Sequence, residues 1–225
     1  MDGISYGKGI VIGDVIWAPV NCGYEPATSD SKGYPYGKLY QWGRKYGQGY
    51  SISYDASVPE IVEGPISAIN GQKDIYSNTF FTASESPHDW TFPRKDDLWN
   101  SGTEDNPVKT EYDPCPEGWR VPTYAELDKL TNNYSSFTTI GGQKGCYFCG
   151  DYTYLDNVPQ VFFPAAGVRG SDGSSVGLRG LNGRYWSTGP VSDTAGAYIL
   201  DFNSSSVGMY SNGRAIGYSV RCVQE

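Results

Sequence analysis

The run Cys115-Pro116-Glu117-Gly118-Trp119-Arg120-Val121-Pro122-Thr123-Tyr124-Ala125-Glu126-Leu127 restricts the backbone more than any other stretch of the chain. Pro122 biases Val121 away from helical dihedrals, so the short extended segment before it ends there. Thr123 followed three residues later by Glu126 is a capping box, in which each side chain satisfies an orphan backbone N–H at a helix start. Leu127 and Leu130 then fall at helical spacing and predict a helix over 123–132. Far away, residues 217–223 alternate in character and predict a strand that carries Cys222.

The rest of the chain gives shorter signals. Apolar residues 10–12 and 15–18 flank Gly13-Asp14, a two-residue hairpin signal. Residues 39–45 read as a short amphipathic helix, with Tyr36, Leu39, Tyr40 and Trp42 toward the core and Gly47 and Gly49 breaking it. Residues 56–112 are polar, interrupted by proline and without period, and read as an insertion anchored by Phe80, Phe81, Trp90, Phe92 and Trp99. Residues 137–145 read as a turn, and 161–167 as a buried strand whose Pro164 places it near a sheet edge or end. Residues 185–188 and 197–202 read as strands. Period two in the second puts Leu200 and Phe202 on the core face and Ile199, Asp201 and Asn203 on the other.

With 29 glycines and 14 prolines in 225 residues, short elements and many turns are expected, built as a single domain over 1–225. Aromatic residues, 15% of the chain, supply the core volume that a modest hydrophobic content would otherwise lack. A net charge of −8 argues against nucleic acid, whose phosphates need a basic face. No apolar run reaches membrane-spanning length, so no direct membrane insertion is expected. Residues 1–20 lack a basic region ahead of an apolar one. The Tyr-, Gly- and Asn-rich composition and the cysteine placement favour an extracellular or cell-surface location, with a leader or anchor outside this chain.

Candidate chemistry is sparse. Cys146-Tyr147-Phe148-Cys149 has the spacing of a redox motif or half a zinc site. Zinc would need two more ligands and the chain has one histidine, His88, so a local disulfide or two reduced thiols is the reading kept. Asp172 among serines lacks the ligand count calcium requires. No functional metal and no cofactor are expected. His88-Asp89-Trp90 has no paired nucleophile nearby, and nothing among 25 acidic residues singles out a catalytic pair. The chain is not expected to be an enzyme.

The run 115–127, together with YWST at 185–188, AYILDFN at 197–203, GYSVRCV at 217–223 and GKLYQWGRK at 37–45, resembles the Fibrobacter succinogenes major paralogous domain family. Members of that family are surface proteins of Bacteroidetes and related gut bacteria. The resemblance covers most of residues 10–55 and 113–223. It implies an α+β, C-type-lectin-like fold, loop-rich, with small antiparallel sheets, two short helices at 37–46 and 123–132, and paired terminal strands. It also implies a disulfide between Cys115 and Cys222, which the motifs place at the ends of elements that should meet, with Cys22 left over. Formylglycine-generating enzymes share this superfold. Their cysteine pair beside an Arg-Gly-Gly-Ser block is missing here, as are the calcium motifs of carbohydrate-binding lectins.

Residues 178–223 differ in texture and mark the expected binding region. Arg184, Tyr185, Asp193, Ile199, Asp201, Asn203, Ser205, Tyr210, Asn212, Arg214 and Tyr218 are the candidate ligand contacts. Tyrosine offers amphipathic contact area at low entropic cost, while serine, asparagine and glycine offer adaptable hydrogen bonds. Tyr185 and Tyr210 are expected to be exposed anchors, and Trp186 a core residue. The region also resembles the variable region of proteins diversified by retroelements in gut Bacteroides or its phage. Such systems rewrite adenines in AAC codons. Residues reachable that way stand at Arg184, Ile199, Asp201, Ser205, Tyr210, Arg214, Ala215 and Ile216, whereas Met209 would be fixed. The implied function is adhesin-like: binding of a protein or glycan ligand on another cell or virion surface, with a phage virion as the alternative site of display. A structural, pilus- or tail-associated subunit without its own ligand is the second reading, and a formylglycine-generating-enzyme-like enzyme ranks last.

Overall fold

The computed structural model describes residues 6–26, 35–49, 59–83, 85–149, 159–173 and 176–225. The N-terminal part carries β1 (Ile10–Ile12), β2 (Val15–Trp17), β3 (Lys38–Gln41), β4 (Gly47–Gly49) and β5 (Glu60–Glu63). Helix α1 (Ala68–Gly71) and a 3-10 turn precede β6 (Thr79–Thr82), and β7 (Trp119–Arg120) leads into α2 (Tyr124–Thr131). Then follow β8 (Tyr134–Ile140), β9 (Gln143–Cys149), β10 (Gln160–Pro164), β11 (Val168–Arg169) and β12 (Val176–Gly177). The C-terminal part holds β13 (Gly183–Pro190), β14 (Gly196–Phe202), β15 (Val207–Gly213), β16 (Gly217–Tyr218) and β17 (Val223–Gln224). The strands form five sheets, ordered β1-β2-β17-β7, β10-β9-β8, β12-β11-β16-β3-β4, β13-β14-β15 and β5-β6.

Strand therefore dominates: seventeen strands stand against two α-helices among the described residues, and the α+β, lectin-like expectation is corrected to a β-rich fold. Two local misreadings account for much of the difference. The helix expected at 37–46 is a hairpin, with Leu39 opposite Gln48 and Tyr40 opposite Gly47. Gly37 and Gly43 hold left-handed φ of 75° and 82°, conformations that a right-handed helix excludes. At Gly43 a side chain would also meet Leu98 at 2.4 Å. The turn expected at 137–145 is a second hairpin, β8 to β9, which reverses at Gly141-Gly142, both with positive φ.

Other signals correspond to what forms. Gly13, at φ 62°, turns β1 into β2 with Ile12 opposite Val15. At α2, Thr123 Oγ1 accepts from the Glu126 N–H, and Glu126 Oε2 accepts from the Thr123 N–H at 2.8 Å. Arg120 donates to both Glu126 oxygens, at 2.8 and 2.6 Å, and locks the helix start onto β7. Residues 217–223 are not one strand. They split between two sheets, with Tyr218 paired to Tyr40 and Val223 paired to both Trp17 and Arg120. The last strand, β17, thus lies between β2 of the N-terminal hairpin and β7. Cys115 and Cys222 are joined in a disulfide that closes 107 residues, worth about 4–5 kcal/mol in the chain-entropy model.

Residues expected as an insertion are built into the core. Phe81, Trp90 and Trp99 pack with Trp42, Trp186, Ala197, Ile199 and Tyr218 in one cluster. The Gln41 amide brackets Phe81, donating to its carbonyl at 2.7 Å and accepting from its N–H at 3.0 Å. Phe92 is the exception: its side chain is 73% exposed and lies outside the core. A second cluster joins Trp17, Leu127, Leu130, Phe148, Phe163, Tyr185, Leu200 and Phe202. The sheet β13-β14-β15 runs between these two clusters.

Candidate functional site

The position of that sheet decides which of the candidate residues can meet a ligand. In register, Arg184 lies opposite Asp201 and Asp201 opposite Gly208, while Trp186 lies opposite Ile199 and Ile199 opposite Tyr210. Directly paired residues share a face, so Arg184, Trp186, Ile199, Asp201, Tyr210 and Asn212 lie on one side. Tyr185, Leu200, Phe202 and Met209 lie on the other, against α2. Both sides of β13 and β14 are covered over most of their length.

Four candidates are consequently corrected to buried structural residues. Tyr185 is enclosed between the Phe163 and Phe202 rings and donates to the Pro164 carbonyl at 2.6 Å. Burial pushes its hydroxyl up to about 12. Ile199 is 1% exposed, because the face expected to be open is closed by the first core cluster. Arg214 is fully buried over the Trp42 ring, 4.3 Å from its centroid. It donates to Gly196 O at 3.1 Å, Lys95 O at 2.8 Å and Asp96 Oδ1 at 2.5 Å, which ties the 85–112 segment to the C-terminal sheet. Tyr218 is buried on the Trp186 ring.

Tyr218 nevertheless takes part in a polar cluster through its hydroxyl. Asn212 Nδ2 donates to it at 2.8 Å and Arg184 Nη1 at 3.5 Å. Arg184 Nε also donates to Asp201 Oδ2 at 2.7 Å, and Asn182 Nδ2 to Asp201 Oδ1 at 3.4 Å. Burial and the Arg184 charge act in opposite directions on the Tyr218 hydroxyl, and burial wins, raising its pKa. Burial alone would lower Arg184, but Tyr218 and Asp201 outweigh it and hold the guanidinium charged. Both residues of the Arg184–Asp201 pair are half-buried, so the pair is fixed in place while still reaching the surface. Beside it Tyr210, 56% exposed, lies over Gly208; a side chain at 208 would meet the Tyr210 ring at 3.3 Å.

The remaining candidates are spread apart. Asn203 and Ser205 sit in the β14–β15 turn, where Asn203 Oδ1 accepts from the Ser205 and Ser206 N–H groups at 2.7 and 3.1 Å. Asp193 is exposed in the β13–β14 loop at the other end of the sheet. Arg94 holds that loop, donating to Val191 O at 2.7 Å and Thr194 O at 2.6 Å. The structure thus gathers Arg184, Asp201, Tyr210, Asn212 and the Tyr218 hydroxyl, and leaves Asp193, Asn203 and Ser205 at the margins. Asn182 and Gly208 were missed. A glycine inside a strand pattern was the available signal, since it marks a close approach.

His88 is tied to the backbone around it. Its ring Nδ1 is 2.8 Å from the Ala83 carbonyl, and its own carbonyl accepts from the Ala215 N–H at 2.9 Å. Cys146 and Cys149 are buried on β9 and are not bonded to each other; burial raises the pKa of both thiols. The model of a domain of unknown function, DUF8237, matches residues 150–223, the part of the chain that contains β10 to β16 and the polar cluster. No curated protein and no solved structure matches the chain.

Proposed function

We propose that the chain is a ligand-binding module that contacts a protein or glycan through the outer side of β13-β14-β15. The observation that carries this reading is the exposed Tyr210 ring lying over Gly208, next to an Arg184–Asp201 pair that is already held in place. Contact surfaces are strongest where an aromatic anchor stands beside polar groups that lose little freedom on binding. Edge strand β15 continues the surface through Asn212, which shares the face of Tyr210. Display at a cell surface or on a virion goes with this reading. The Cys115–Cys222 disulfide supports it, since such bonds persist in oxidising compartments.

Of the positions open to adenine-directed change, Arg184, Asp201, Ser205 and Tyr210 are exposed or half-exposed, so diversification there would leave both cores intact. Changes at Ile199, Arg214 and Ala215 would disturb them. The test is a glycan array and a panel of bacterial surface proteins probed with the folded chain, then with Tyr210→Ala and Arg184→Ala. Each substitution should weaken binding by about tenfold or more, the loss of roughly 1–2 kcal/mol typical of truncating a contact anchor. Undiminished affinity in both would move the site away from this sheet.

A further inference from the structure

The third cysteine carries an inference independent of the binding face. The sulfurs of Cys22, Cys115 and Cys222 all lie within 4.8 Å of one another, and all three residues are buried. The backbone enforces this meeting: Ala18 and Cys22 donate their N–H groups to the Cys222 and Val220 carbonyls, at 2.9 Å each. Cys22 and Cys115 also line a cleft of about 1060 Å³, together with Tyr6, Tyr40, Tyr46 and Lys109.

Two kinds of chemistry compete for three adjacent sulfurs, and geometry separates them. Direct thiol–disulfide exchange needs the attacking sulfur on the extension of the S–S bond. A disulfide is about 2.05 Å long. A sulfur in line with it and still within 4.8 Å of the farther atom would stand only about 2.8 Å from the nearer one, inside van der Waals contact. Cys22 is therefore placed beside the bond and not behind it. A convergent arrangement suits metal ligation instead. Three thiolates at about 2.3 Å from a central ion are about 3.8–4.0 Å apart, a spacing inside the 4.8 Å bound that the Cys22 sulfur meets and one that Cys115 and Cys222 reach once their bond is broken.

We propose that, when the Cys115–Cys222 bond is reduced, Cys22, Cys115 and Cys222 form a three-thiolate site for a thiophilic d10 ion such as zinc or cuprous copper. Soft sulfur ligands select such ions over the hard cations that prefer oxygen. Reduction of the disulfide by two equivalents of an external thiol yields the two free protein thiols and one external disulfide. Metal binding then releases the thiol protons to solvent. Around Cys22 the outer partners are set: the Tyr40 hydroxyl donates to its sulfur at 3.2 Å, and its thiol reaches the Pro114 carbonyl at 3.2 Å. Lys109, which donates to the Cys115 carbonyl at 2.7 Å, brings a positive charge close to the thiolates. Because two of the three ligands line the cleft, a fourth ligand would enter from that side. Disulfide and metal exclude each other, so occupancy reports the redox state.

The experiment titrates the full chain with Cd2+, whose thiolate complexes absorb in the ultraviolet, and with Zn2+ in competition with a chelator. Wild type reduced by a non-thiol phosphine should bind one equivalent, and oxidised wild type should bind at least tenfold more weakly. Cys22→Ser, which leaves the disulfide intact during folding, should lose tenfold or more in affinity after reduction. Cys146→Ser, a change at a cysteine outside the cluster, should bind as wild type does. Tryptophan fluorescence follows the fold throughout. If reduction unfolds the protein, one equivalent of metal should restore native fluorescence, and failure to do so overturns the proposal. Equal binding by oxidised wild type, or by reduced Cys22→Ser, overturns it as well.

Discussion

Strands β14 and β15 are adjacent, equal in length and paired along all seven positions, yet their surroundings differ. In β14, Leu200 and Phe202 enter one core cluster and Ala197 and Ile199 the other, so both faces are covered. In β15 only Val207 and Met209 lean on a cluster, while Tyr210 and Ser211 are exposed. The difference arises from position in the sheet. β14 is flanked by β13 and β15. Of the two edges, β13 is covered by the 217–220 segment, where the Trp186 N–H donates to the Ser219 carbonyl and the Ser219 N–H to the Arg184 carbonyl at 3.0 Å each, whereas β15 is open. Stability is thus concentrated in β13 and β14, and the surface left for recognition is little more than one strand wide, extended by the rim of Arg184 and Asp201.

The largest effect should come from opening the covered side. Tyr185→Ala and Trp186→Ala each remove a fully buried ring, one from each core cluster, and should cost about 3–5 kcal/mol in denaturant unfolding. A loss below about 1 kcal/mol in either would show that one face of β13 is not packed as described.

A smaller effect tests the ties at the Gly196 end of β14, where Arg214 is backed by Asp89 at 3.7 Å. Burial pushes the Asp89 carboxyl up to about 6, despite the Thr91 N–H and Arg214, above the ~3.9 of an unfolded chain. Between those values the native state holds more protons than the unfolded state. The contribution of this group is full below about pH 4 and is lost as pH rises through about 6. Relative to wild type, Asp89→Asn should therefore gain about 2–3 kcal/mol of stability between pH 4 and pH 7. Parallel urea titrations at the two pH values measure it, and a constant offset would contradict the assignment.

The smallest effect belongs to the edge. Tyr210→Ala should shift unfolding by less than about 0.5 kcal/mol, as surface substitutions do. A loss comparable to that of Tyr185→Ala would erase the distinction between the two strands.

Much of the local structure was legible. The capping box at Thr123 and Glu126, the hairpin around Gly13 and the two strands of the C-terminal region depend on neighbours within a few residues, and the sequence displays those directly. Apolar content also pointed to Leu200 and Phe202 as core. What it could not display is whether a second layer covers the opposite face. A strand buried on both sides usually reads as continuously apolar. In β14 the polar Asp201 on the face of Ile199 imitates a half-exposed strand, because its carboxylate accepts from Arg184 and Asn182 beside a covered Ile199.

The same limit governs the residues around Leu39 and the arginines. Tyr36, Leu39, Tyr40 and Trp42 fit a helical stripe, but Gly37 and Gly43 hold left-handed φ where Asn21 and Leu98 leave no room for a side chain, and the segment forms a hairpin. Arg184 and Arg214 are the same residue type on the same C-terminal stretch, and nothing in their neighbours along the chain separates them. Carbonyls of Lys95 and Gly196 and the carboxylate of Asp96 surround Arg214, whereas Arg184 meets one carboxylate and one tyrosine at the rim. The sequence determined turns, caps and strand positions, which are short-range properties of the backbone. Burial of each face, and with it the division between scaffold and contact surface, was decided by tertiary packing, because burial depends on residues a hundred or more positions away.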